Sequence, residues 1–104
     1  MYARSVWINL KPNRAKEFAL KLEQDILPLL KRQSGFQDEI TFLGEGGKHA
    51  VAISLWDRKE SAEAYSRDTY PEVLKGLATL VEGTPKVNGY EVANSTFHNI
   101  PAHA

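Results

Sequence analysis

The sequence predicts an α+β domain in which four strands and two helices follow one another in the order β-α-β-β-α-β. Three observations lead to this prediction. Four segments are rich in β-branched and aromatic residues, two longer segments repeat apolar residues every three or four positions, and glycine or proline separates the segments. A chain of 104 residues has room for one domain and one core.

The first strand is predicted at Tyr2–Leu10, and Pro12 then favours the first turn of a helix. This helix has an apolar stripe, which consists of Phe18, Leu22, Ile26, Leu29 and Leu30. Pro28 removes one backbone donor and should kink the helix or start a new turn. Gly35 follows two basic residues, as is typical of a helix end.

Strands two and three are predicted at Phe36–Leu43 and His49–Trp56, on either side of the glycine-rich turn 44–47. Asp57 and Glu60 then have the spacing of a capping box, in which the first side chain accepts from the backbone and the second reaches back. The sequence therefore predicts that the second helix begins directly after the third strand.

The second helix is expected to run toward Asp68 and to restart at Pro71. Its apolar period continues to Val81, so Gly83 is expected to end it. The two-residue alternation that is typical of a strand returns at residues 86–97, which predicts the last strand. We expect a single domain at residues 1–98, followed by a short C-terminal tail at 99–104.

The order of elements is that of the ferredoxin-like arrangement, whose antiparallel sheet has both helices on one face. Alternate residues of a strand point to opposite faces. The sets expected to pack on the helices are Val6, Ile8, Leu10, Val51, Ile53 and Leu55. The set expected on the other face is Ser5, Trp7, Asn9, Ala50, Ala52, Ser54 and Trp56. This second set has almost no charge, so we expect a second copy of the chain to cover it and form a homodimeric barrel.

Charge and composition exclude several classes of partner. Thirteen basic residues balance thirteen acidic ones, which gives no field that favours nucleic acid or an anionic membrane. Cysteine is absent, so disulfides and thiolate chemistry are excluded, and the scattered histidines match no metal motif. The N-terminal segment lacks the apolar run of a signal peptide, and the cytoplasm is the expected compartment.

Four short motifs carry a resemblance to a known family. They are Lys11-Pro12, Gln33-Ser34-Gly35-Phe36, Leu55-Trp56-Asp57 and Tyr90-Glu91-Val92. With this spacing, nearly the whole chain resembles the antibiotic biosynthesis monooxygenase-like domains of the dimeric α+β barrel superfamily. The resemblance implies a dimeric barrel. It leaves open whether the activity is cofactor-free oxygenation of quinols and phenols, haem degradation, or a role that is not assigned.

The haem-degrading branch of that family can be compared with this sequence residue by residue. Its members have an asparagine in strand one, and Asn9 matches it. They also have a tryptophan and an iron-binding histidine in the second helical region. Neither Ala64 nor Tyr65 is the tryptophan, and no histidine stands between His49 and His98. We therefore expect neither haem nor another cofactor.

A cofactor-free oxygenase must hold a flat aromatic, stabilise an oxyanion and exclude water. The candidate residues that bind substrate are Trp7, Ser54, Trp56 and Tyr70, and the candidate catalytic residues are Asn9, Tyr65 and His98. A ligand is expected between the two tryptophans. His98 shares strand parity with the polar face of the last strand and would act as a base.

Purely structural roles are the alternative interpretation of these candidate residues. Both tryptophans would then be core or interface residues, Asn9 a satisfied strand-end side chain, and His98 an exposed histidine without a role. The alternative function is accordingly a non-catalytic dimeric barrel that binds a small apolar ligand or serves a stress response.

Overall fold

The structure, a computed structural model, describes residues 1–96, and these contain the predicted order of elements. The strands are β1 (Tyr2–Leu10), β2 (Phe36–Leu43), β3 (His49–Trp56) and β4 (Val81–Glu91). The helices are α1 (Ala15–Lys21), α2 (Leu27–Lys31), α3 (Lys59–Asp68) and α4 (Tyr70–Leu77), with a π-helical segment at Leu22–Ile26 and a 3-10 turn at Glu45–Gly47. The predicted bounds of the first three strands are confirmed. The candidate base His98 and the predicted tail lie outside the described residues.

The four strands form one antiparallel sheet in the order β2-β3-β1-β4. The two central strands are therefore β3 and β1, which pair from Tyr2 opposite Trp56 to Asn9 opposite His49. This order confirms the predicted ferredoxin-like α+β fold.

One face of the sheet packs against the helices and is called the helix-covered face. It is formed by Tyr2, Arg4, Val6, Ile8 and Leu10 of β1, Ala50, Ala52, Ser54 and Trp56 of β3, and Phe36 and Glu39 of β2. The opposite face is called the open face. It is formed by Ser5, Trp7 and Asn9 of β1, Val51, Ile53 and Leu55 of β3, Asp38, Ile40 and Phe42 of β2, and Lys86, Asn88 and Tyr90 of β4.

The prediction for β1 is confirmed, but the two faces of β3 are the reverse of the prediction. Val6 pairs with Ala52 and Trp7 pairs with Val51, and residues that pair directly lie on the same face. The aliphatic set of β3 therefore belongs to the open face, and Trp56 belongs to the helix-covered face. The prediction was wrong because both faces of β3 are apolar, so alternation alone does not show which of them meets the helices.

The core fills the space between the helix-covered face and the helices. Phe18, Ile26 and Leu30 come from the first helical region, and Val73 and Leu77 from α4. At one end of this layer Trp56 is 0% exposed, with Phe36 packed edge-on at 5.6 Å and Tyr65 at 5.2 Å between ring centroids. This packing fixes how the helices sit over the sheet.

The first helical region widens before Pro28. The backbone N–H of Leu27 donates to the carbonyl of Leu22, five residues back, at the end of the π-helical segment. Pro28 stands in the first turn of α2, where the donor that proline lacks is not needed. The predicted new turn at Pro28 is confirmed, and the segment preceding it brings Leu22 and Ile26 to a cavity between the helices and the sheet, described below.

Two local predictions are wrong. The N-cap of α3 is Arg58 and has no side-chain cap bond, so the capping box of Asp57 and Glu60 does not form. The second helical region ends at Leu77, and Gly83 lies inside β4 with φ of +68°. Its left-handed backbone accompanies a shift in the β1–β4 register and makes a bulge rather than a helix end.

The α3–α4 break is as expected from Pro71, which stands in the first turn of α4. Across residues 1–96, none of the helices combines the length and the apolar composition that a membrane span requires.

Candidate functional site

The main cavity lies between the helix-covered face and the helices. Its polar lining residues are Arg4, Glu39, Ser54, Tyr65 and Tyr70, and the other lining side chains are apolar. The cavity encloses about 500 Å³ when its open mouth is included, but only about 40 Å³ of it is wide enough to admit water. It is therefore a narrow slot with apolar walls and a few polar groups, the usual composition of a small-molecule site.

Three of these polar residues form one row across the sheet. Ser54 of the central strand β3 pairs with Arg4 of β1 on one side and with Glu39 of β2 on the other. Strands are spaced by about 4.8 Å, so the backbones that carry Arg4 and Glu39 are about 10 Å apart. The row thus places a cation and a carboxylate on either side of the same slot.

Arg4 is the most unusual residue of the row, because its side chain is charged and only 4% of the residue is exposed. Its Nε donates to Oγ of Ser66 at 2.7 Å, and its guanidinium carbon lies 4.1 Å from the ring centre of Tyr70 and 5.1 Å from that of Tyr65. These ring faces attract the cation.

Nothing within residues 1–96 neutralises Arg4. Its Nη2 is buried without a hydrogen-bond partner, and the ion pairs of the described residues do not include it. Burial lowers the pKa of Arg4, whereas Tyr65 and Tyr70 raise it. An unpaired buried cation costs folding free energy, so it is a strong indication of a site that binds an anionic oxygen.

The two cavity tyrosines are hydrogen-bond donors at neutral pH. Burial raises the pKa of Tyr65 to about 12, although the charge of Arg4 acts in the opposite direction. Burial also raises the pKa of Tyr70. Neither phenol is therefore ionised near pH 7, and neither serves as a base there. Tyr65, a candidate catalytic residue, and Tyr70, a candidate substrate contact, both line the cavity.

Glu39 is half-buried at the other end of the row. Its Oε2 accepts a hydrogen bond from Oγ1 of Thr41 at 2.5 Å. Burial raises the pKa of Glu39, and the hydrogen bond from Thr41 lowers it by less. The carboxyl group is thus more basic than an exposed glutamate.

Ser54 lines the cavity, as expected for a residue that touches a ligand, but its hydroxyl already has partners. Its Oγ accepts from Nε1 of Trp56 at 2.8 Å and lies 3.5 Å from the carbonyl oxygen of Arg4. These bonds satisfy the buried indole N–H. Trp56 is a core residue outside the cavity lining, so its expected role in stacking on a ligand is wrong.

Trp7 and Asn9 lie on the open face, away from the cavity. Trp7 is 45% exposed and stacks on the ring of His49 at 4.4 Å between centroids. Oδ1 of Asn9 lies 3.4 Å from Nε1 of Trp7. Because Trp7 and Trp56 lie on opposite faces of the sheet, the expectation of a ligand between them is wrong.

The described residues contain no group of three or more His, Cys, Asp or Glu side chains placed to hold a metal ion. The expected base His98 lies beyond residue 96, and the structure gives it no position.

Sequence reasoning missed Arg4 and Glu39. The sequence does indicate that Arg4 is unusual, because it alternates with Val6, Ile8 and Leu10 and therefore places a charged side chain on the buried face of β1. No comparable pattern in the sequence indicates a role for Glu39. Its place beside Ser54 depends on the β2–β3 register, which shifts between Phe36 and Asp38.

Comparison with known proteins gives structural neighbours only. No family model and no curated protein matches the chain. A monooxygenase from Streptomyces coelicolor in complex with the ligand nanaomycin D is 13% identical, with a TM-score of 0.77 over 90% of this chain and 88% of that one. A protein of unknown function from Nitrosomonas europaea is 21% identical, with a TM-score of 0.76 over 91% of both chains.

A third neighbour, from Bordetella bronchiseptica, is provisionally named an antibiotic biosynthesis monooxygenase. It is 16% identical, with a TM-score of 0.75 over 88% of this chain and 95% of that one. Identities this low establish the architecture and not the reaction. The chain therefore has the fold of the antibiotic biosynthesis monooxygenase-like domains, as the sequence motifs predicted.

Proposed function

We propose that the protein is a small cofactor-independent monooxygenase that oxidises a quinol or another phenolic aromatic in the cavity between the sheet and the helices. One observation carries the proposal: Nη2 of Arg4 is buried and unpartnered in a slot with otherwise apolar walls. The fold supports it, because structural neighbours include named monooxygenases.

Arg4 pairs with the ionised oxygen of the substrate in this proposal. A phenolate entering the slot gives Nη2 its missing acceptor and neutralises the buried charge. The apolar walls exclude water, which strengthens the pairing. Tyr65 keeps its proton at neutral pH and donates a hydrogen bond, and Tyr70 holds the guanidinium over its ring.

The phenolate passes one electron to O2, and the resulting ring radical and superoxide combine at a ring carbon that carries a hydrogen. The peroxide anion takes one proton from solvent, and the hydroperoxide then loses water together with that ring hydrogen. One oxygen atom therefore stays on the ring as a carbonyl and the other leaves as water. The slot is narrow, so binding of a bicyclic ring requires its apolar walls to move apart.

Self-association through the open face is the second part of the proposal. Ile40 and Phe42 of β2 are each about half exposed there, next to Trp7 and the aliphatic set of β3. A contiguous apolar sheet face of this kind requires cover in water. A second copy of the chain provides it with the same surface, as in an isologous dimer.

Oxygen uptake tests the enzymatic part. An oxygen electrode is used with 1-naphthol and 1,4-naphthohydroquinone, and the rate without protein is subtracted. The wild-type protein is expected to consume O2, and Arg4→Gln is expected to lose at least about tenfold in rate, because a hydrogen bond to a charged group is worth about 1.5–3 kcal/mol. Arg58→Gln, at an exposed arginine, is the matched control and should keep the wild-type rate.

Two outcomes contradict the enzymatic proposal. Binding of the phenols without oxygen uptake would favour the non-catalytic ligand-binding alternative. Neither binding nor uptake, or equal rates for wild type and Arg4→Gln, would remove the cavity as the functional site.

A further inference from the structure

Glu39 lies at the boundary between the main cavity and the protein surface. It lines the main cavity with Arg4, and it also lines a second, shallow groove with Lys31 of α2 and Asp38 of β2. One carboxyl group therefore has access to a ligand on one side and to solvent on the other.

The surroundings of Glu39 leave its carboxyl group free of a cation. Its carboxylate accepts a hydrogen bond from Thr41, and among residues 1–96 it forms no ion pair with Arg4 or Lys31. Arg4 and Glu39 lie on opposite sides of Ser54 in the row, and the ion pairs of the described residues do not join them. A half-buried carboxylate and a buried arginine that line one cavity without forming an ion pair can both contact the same ligand.

From this placement we propose that Glu39 is the general base of the cavity, which removes the proton from the hydroxyl of a bound phenol. The inference rests on the proposed function and adds a residue to it. The O–H bond of the substrate breaks, its electron pair stays on the substrate oxygen, and the proton moves to a carboxylate oxygen of Glu39. Arg4 stabilises the resulting oxyanion, and Glu39 returns the proton to solvent through the shallow groove.

The basicity of Glu39 fits this role. Burial raises its pKa above the ordinary value of 4.5, toward the range in which a carboxylate is an efficient base near neutral pH. The titratable and charged groups around it are Arg4 from β1, Asp38 from its own strand β2, Tyr65 from α3, Tyr70 from α4 and Lys31 from α2. Tyr65 does not compete for the role, because its pKa is about 12.

The test uses Glu39→Gln, with Glu23→Gln at an exposed glutamate as the matched control. For 1-naphthol, Glu39→Gln is expected to lower kcat by about 10²–10⁴, the usual contribution of a general base, and to change the anaerobic Kd by less than about threefold. At an alkaline pH at which 1-naphthol is already ionised in solution, the substrate needs no base. Glu39→Gln and wild type should oxidise 1-naphthol at the same rate there, which a merely structural defect would not produce.

The pH profile of the wild type keeps the inference testable if Glu39→Gln does not fold. On the acidic side of this profile, kcat should fall with a midpoint above pH 4.5 that does not move with the pKa of the substrate. Glu39→Asp should show the same kind of acidic fall in kcat. A midpoint that follows the substrate pKa, or equal kcat values for wild type and Glu39→Gln on 1-naphthol, would overturn the role of Glu39 while leaving the oxygenase proposal intact. A wild type that neither binds nor oxidises any phenol would instead overturn the proposed function.

Discussion

Arg4 and Glu39 both lie beside Ser54 in a single row of the helix-covered face, on the two strands that flank β3. A buried cation and a half-buried carboxylate thus line one narrow cavity without neutralising each other. The apolar walls around them make each unpaired charge costly to the fold.

The cost of the unpaired arginine is itself testable. Arg4→Met replaces the buried guanidinium with an apolar side chain of similar length, so we expect an unfolding free energy equal to or higher than that of wild type. The same variant should lose oxygen uptake. Chemical denaturation measures the first effect. A loss of more than about 2 kcal/mol would show that Arg4 holds the fold together instead of serving a site.

A second prediction concerns the buried stripe of α4. Leu77 is buried against the sheet and Leu20 is exposed on α1, so they offer the same substitution in opposite environments. Leu77→Ala should lower the unfolding free energy by about 2–5 kcal/mol through lost burial and a residual cavity. Leu20→Ala should stay within about 0.5 kcal/mol. Equal losses in urea denaturation would show that the helices do not pack as described.

The open face should mediate a homodimer. An interface between two such sheets is expected to bury more than about 1,000 Å² in total, the threshold for a specific contact. Light scattering at micromolar concentration should therefore give twice the mass of the chain. Phe42→Asp, which places a charge on the open face, should give a monomer, whereas Leu20→Asp on the exposed side of α1 should not. A monomeric wild type would contradict the proposal.

Stability should depend on pH through Glu39. Because burial raises its pKa in the folded protein above 4.5, the folded state holds this proton more tightly than the unfolded chain does. The contribution of protonated Glu39 to the unfolding free energy is then fully present below pH 4.5. It is lost as the pH rises through the higher folded-state pKa. The difference in unfolding free energy between wild type and Glu39→Gln should therefore fall with rising pH in this window. The corresponding difference for Glu23→Gln should stay flat. A rise with pH would mean that the carboxylate is stabilised when charged.

Most of the fold could be predicted from the sequence because most boundaries have a local cause. The strand ends at Leu43 and His49 flank a glycine-rich turn, and the widened helix before Pro28 follows from the donor that proline lacks. The start of β4 is an exception, because the sequence predicts it at residue 86 and the strand begins at Val81. Leu80 and Val81 continue the helical period in sequence, yet they leave the helix because Val81 pairs with Leu10 in the sheet.

The site could be predicted only in part, since it depends on register. Ser54, Tyr65 and Tyr70 were expected near a ligand and do line the cavity. Trp56 was assigned to the wrong face because the aliphatic residues of β3 resemble a core set, although they pair with the open face of β1. No local pattern in the sequence indicates that Glu39 and Arg4 share a row, because their meeting point is a residue of a third strand.

The affinity of a quinol for three forms of the protein tests the central claim most directly. Anaerobic calorimetric titration with 1,4-naphthohydroquinone is carried out on wild type, Arg4→Gln and Trp7→Ala. If the cavity between sheet and helices is the site, Arg4→Gln should raise Kd at least about tenfold, and Trp7→Ala should leave Kd unchanged. The opposite pattern, with Kd unaffected by Arg4→Gln and raised by Trp7→Ala, would place the ligand on the open face and contradict the account.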